Sequence, residues 1–184
     1  MSHMSHREQQ IGVLKGMSLG LFIAGATFVC SVKLLGPKLI VLSLDGRYAL
    51  FALAILMPAL TLAFSVGRLA KHRFFSPQDI DGSALSPGSG KAILLQSLLQ
   101  NTLEQAVLAL FAYASWSILV PSYLLPAAPT AAVLFLIGRI LFFAGYAQGA
   151  KARALGFALT FYPTALLLIG SLYFAINAAM ATVG

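Results

Sequence analysis

The residues best suited to chemistry form a polar run inside an otherwise apolar stretch: Gln96-Ser97-Leu98-Leu99-Gln100-Asn101-Thr102-Leu103-Glu104-Gln105. At helical spacing, Gln96, Ser97, Gln100, Asn101 and Glu104 share an arc of roughly 140°. Glu104 is the only acidic residue within any long apolar stretch, and Arg139 is the only basic residue deep inside one. A carboxylate at bilayer depth costs at least ~2.5 kcal/mol on insertion scales, so it should face a partner. An Arg139–Glu104 contact between two helices is therefore expected. Phe142, Tyr146 and Arg153 follow Arg139 at spacings that keep them near its face. With Lys151 and Arg153 on the same side, a partly desolvated cationic pocket would attract an anionic ligand and lower the pKa of a bound thiol. A buried pair that only fixes helix register is the structural alternative.

The elements that must position these groups are membrane spans. The chain has 184 residues, of which 59% are hydrophobic and 9% charged, with a mean hydropathy of +0.89. Soluble domains carry about 25% charged residues, so this chain could not cover a soluble surface. Five apolar stretches stand out, at about Gly16–Leu35, Tyr48–Leu69, Ala92–Val120, Thr130–Ala147 and Leu155–Asn177. Each is long enough to span as a helix, since strands in isolation cannot satisfy their backbone in lipid. Pro58 and Pro163 lie inside spans and are expected to kink them. The third span, at about 44 Å, exceeds the hydrocarbon thickness, so its polar start projects toward one interface.

Charge gives an orientation. Arg7, Lys15, Arg68, Lys71, Arg73, Lys91, Lys151 and Arg153 fall on one side of a five-span topology, and Lys33, Lys38 and Arg47 on the other. This excess puts the N-terminus in the cytoplasm and the C-terminus outside, with a bacterial inner membrane as the expected location. The net charge of +7 forms no basic face with interleaved aromatics, which argues against nucleic acid. His3, His6 and His72 are scattered, and no metal-ligand spacing is present. The one cysteine, Cys30, permits no internal disulfide. Met1-Ser2-His3-Met4 reads as an expression scar before a start at Met4, and Lys33 argues against a cleaved signal peptide in the first stretch. Ser76-Pro77, Asp81-Gly82 and Ser86-Pro87-Gly88 mark turns in the only sizeable polar loop. Gly20, Gly25, Gly138 and Gly145 are expected to allow close helix packing, and Tyr113, Trp116 and Tyr123 to anchor the outer interface.

From about Tyr48 to the C-terminus the sequence resembles the MAPEG family, the membrane-associated proteins of eicosanoid and glutathione metabolism. Arg73-Phe74-Phe75-Ser76-Pro77 resembles the loop after the family's first helix, and Asn101-x-x-Glu104 the Asn-x-x-Glu of its second. Arg139 to Tyr146 resembles its third-helix motif, and Arg153-Ala154-Leu155-Gly156-Phe157 is similar to a motif of microsomal glutathione transferases. The resemblance implies an all-α integral membrane fold. A four-helix bundle would occupy residues 48–184, an extra transmembrane helix residues 16–36, and a cytoplasmic segment residues 1–15. It also implies a homotrimer with glutathione bound between subunits as co-substrate. Asn101, Glu104, Arg139 and Tyr146 would hold the peptide, and Arg153 would stabilise the thiolate nucleophile. The acceptor would be a lipophilic electrophile or hydroperoxide from the bilayer. Ser97 stands where the family often has arginine, and Phe142 where it has a tyrosine, so the pocket offers fewer donors. A non-catalytic lipid-binding or scaffold protein of the same fold is the alternative; a transporter or channel finds no inverted repeat to support it.

Overall fold

The structure, a computed structural model, describes residues 6–82, 85 and 88–183; the expected start at Met4 and the Ser86-Pro87 turn signal lie outside them. Among the described residues, five helices are long and apolar enough to cross a membrane. They are α1 (His6–Leu35), α2 (Leu44–Phe74), α3 (Gly90–Leu119), α4 (Ala127–Gly145) and α5 (Ala150–Val183). The helix starts follow local chemistry. Ser43 and Ser89 cap α2 and α3, their hydroxyls accepting from the amides of Gly46 and Ala92 at 3.2 and 3.1 Å. The two helices with a proline in their interior, α2 at Pro58 and α5 at Pro163, continue through it.

Helices consecutive in the chain run antiparallel, so α1, α3 and α5 point one way and α2 and α4 the other. α2 packs along α3 and α4, and α5 along α3 and α4, so the four close a bundle; α1 lies outside it, against α5 and the edge of α4. The core is built where small residues let helices approach: Ala109, Ala112, Ala128 and Ala131 surround fully buried Tyr113, Phe135 and Leu167. Tyr113 therefore does not anchor an interface. It faces inward, as does Trp116, whose indole reaches back to the Leu124 carbonyl at 3.0 Å; only Tyr123 of the three is exposed. Gly20 and Gly138 meet neighbouring helices closely, as expected, but among the described residues nothing stands within 4 Å of where a Cβ on Gly25 would lie.

The outer surface is studded with Phe22, Leu53, Leu60, Phe111, Ile140 and Ile169, all exposed. Such a surface is stable against lipid and would drive aggregation in water. At one end of the bundle, Arg47 donates to the carbonyls of Ser117 and Val120 and to Ser122 Oγ, at 2.9–3.0 Å, tying α2 to the end of α3. At the other end, Asp79 clasps the loop between α2 and α3. It accepts from Ser76 Oγ (2.6 Å), the Ser89 amide (2.6 Å) and Ser89 Oγ (2.8 Å), and pairs with His72 (3.0 Å).

Candidate functional site

The site forms where α3, α4 and α5 meet near the clasped end. Arg139 is fully buried there. Its guanidinium donates to Asn101 Oδ1 on α3 at 2.8 Å and to Thr160 Oγ1 on α5 at 2.7 Å. The guanidinium carbon lies over the Phe142 ring at 4.5 Å, and among the described residues Nε has no hydrogen-bond partner. One cation thus joins three helices through hydrogen bonds and a ring face, with no carboxylate.

The expected Arg139–Glu104 contact is not made. Glu104 lies on the exposed side of α3, where Gln100 Nε2 donates to its Oε1 at 2.9 Å. The reason is angular: three residues on a helix advance about 300°, so Asn101 and Glu104 stand about 60° apart. An arc wide enough to hold both can place one edge inward and the other outward, and Asn101 takes the inner one.

A short 3-10 turn, Tyr146–Gln148, links α4 to α5. Gly149 makes the reversal at φ 101°, a backbone conformation that side chains resist. Gly145 lies against the Ala152 carbonyl, too close for a Cβ. The tight hairpin brings Tyr146 and Arg153 together: the Arg153 guanidinium sits 4.4 Å from the Tyr146 ring centre. Among the described residues no carboxylate pairs with Arg153.

A cleft of about 370 Å³ opens beside these groups. Asn101, Tyr146 and Arg153 give it polar atoms, and Phe142 and Phe157 apolar walls. With its Oδ1 committed to Arg139, Asn101 turns its amide nitrogen into a free donor. Of the five residues singled out in the sequence, three line this cleft. Arg139 stands behind it, holding Asn101, and Glu104 lies outside it. The sequence reading missed Thr160, because a threonine in an apolar helix ordinarily satisfies itself on its own backbone; it does so here as well, on the Phe157 carbonyl at 2.8 Å. It also missed Val13 and Met17 of α1, which line the cleft. Apolar residues in an apolar span carry no signal of that kind.

No curated protein and no solved structure matches the chain. The family model for the MAPEG family matches residues 47–173, which takes in α3 and α4 whole and leaves α1 outside. With five apolar helices and that match, the chain is an integral membrane protein that belongs to the MAPEG family.

Proposed function

We propose that the protein is a glutathione-dependent transferase acting on lipophilic electrophiles. The observation that carries this reading is the unpaired Arg153 guanidinium lining a cleft with Asn101 and Tyr146. A thiol bound there would lose its proton more readily, because the cation favours the thiolate. Among the described residues, the Asn101 amide nitrogen and the Tyr146 hydroxyl have no hydrogen-bond partner, which leaves both for the peptide. Arg139 is too deeply buried to touch a ligand; it acts by fixing Asn101. Glu104 would meet glutathione only at a junction with a second subunit, which fits a homotrimer in which the peptide lies between copies.

The reaction is a conjugate addition or displacement. The thiolate sulfur forms a bond to the electrophilic carbon. In addition, the acceptor double bond gives up its π pair and the adjacent carbon takes a proton from water; in displacement, the leaving group departs as an anion. With a hydroperoxide, sulfur attacks oxygen, the alcohol leaves, and a second glutathione completes the disulfide with release of water.

The test is turnover by purified protein in detergent with an arginine variant. Arg153→Ala should lower kcat by at least about 100-fold while the oligomer stays intact. Normal turnover in that variant would refute the assigned role. A chain that binds glutathione without forming thiolate would support a non-catalytic scaffold instead.

A further inference from the structure

The helix outside the matched family region is part of the site. The α1 residues Val13 and Met17 line the same cleft as Arg153. They are held there by a close fit: Gly12, Gly16 and Gly20 fall on one face, four residues apart, against Lys151, Ala154 and Ala158 of α5. A Cβ at Gly16 would already stand 3.0 Å from that of Ala154, so bulk at this face would push α1 off α5. Beyond the cleft, a second cavity of about 460 Å³ shares Val13, Met17 and Ala150 and continues along α1 to Gln9, Gln10 and His6. An apolar wall therefore begins at the cationic side chain and runs on to a polar mouth.

We propose that α1 supplies the acceptor site, with Val13 and Met17 determining which electrophiles are accepted. The inference rests on the transferase reading above. Arg153 and Asn101 mark the thiol's side of the cleft, and the opposite wall is apolar, as a lipophilic acceptor requires. The extended track suits a long apolar chain ending in a polar, hydrogen-bonding group. The groove between α2 and α3 at Pro58, Leu62 and Val107 is a competing apolar site, but no ionisable group lines it.

Two experiments on the full chain test this. A photoreactive dodecenal carrying a diazirine should label α1 between Val13 and Met17; label confined to the groove at Pro58 would overturn the proposal. Kinetics with hexenal and dodecenal should then separate the variants. Met17→Phe should lower the dodecenal-to-hexenal ratio of kcat/KM at least about tenfold, and Met17→Ala should raise it. A ratio unchanged in both variants would equally overturn the assignment. Label on α1 without any glutathione thiolate band would sink the transferase reading and leave the α1 wall standing.

Discussion

At the scale of single residues, Arg139 organises the site without entering it. Its two hydrogen bonds and its stacking on Phe142 replace the carboxylate that a buried cation ordinarily needs. Thr160→Val should cost about 1–3 kcal/mol, because a guanidinium sealed from water loses one acceptor. Thermal unfolding in detergent checks it, and an unchanged midpoint would contradict the assigned contact. Asn101→Ala should do the same and also weaken glutathione binding, whereas Thr160→Val should weaken it less. The two variants thus separate support from ligand contact.

At the scale of elements, the spans are legible because hydrocarbon thickness dictates their length. All five apolar stretches became helices. The start of α1 was not legible: the chain is already helical at His6, well before the apolar run at Gly16. A polar, charged turn continuing an apolar helix outside the hydrocarbon breaks no hydropathy rule and leaves no mark. The facing of α3 was half legible. Polarity located the functional stretch, but which polar residue points inward depends on how α3 is rotated against α4, and composition does not carry that. The glycine face of α1 is a further element-level device. Gly16→Leu should detach α1, seen as faster proteolysis near its N-terminus and a lower unfolding temperature than Gly25→Leu, where space is open.

The clasp between α2 and α3 has a pH dependence of known sign. Ser76 above all, then the Ser89 amide and hydroxyl and the His72 charge, hold the Asp79 carboxyl down to about 2 from 3.8, against the opposing effect of desolvation. A depressed carboxyl contributes stability that is complete above about pH 4 and is lost as pH falls through about 2. Protease resistance of this loop should therefore hold to about pH 4 and fall below it; Asp79→Asn should be nicked readily at neutral pH as well.

At the scale of the whole molecule, a single chain leaves Gln100 and Glu104 exposed in the middle of a span. Against lipid that carboxylate costs at least ~2.5 kcal/mol, which supports the proposal that a second copy covers α3. Native mass spectrometry from mild detergent should find trimers, and Glu104→Ala should alter their stability; monomers alone would contradict this. The basic residues clustered at the Arg153 end support the proposal that this end faces the cytoplasm. A C-terminal reporter should then be active outside the cytoplasm and silent within it.

The proposed function depends most on Arg153 turning bound glutathione into a thiolate. Titrating purified protein with glutathione while recording the ultraviolet thiolate difference band measures this directly. The band should rise and saturate in the wild type and be absent in Arg153→Ala. A wild-type protein that gives no band, or an alanine variant that gives the same one, contradicts the account.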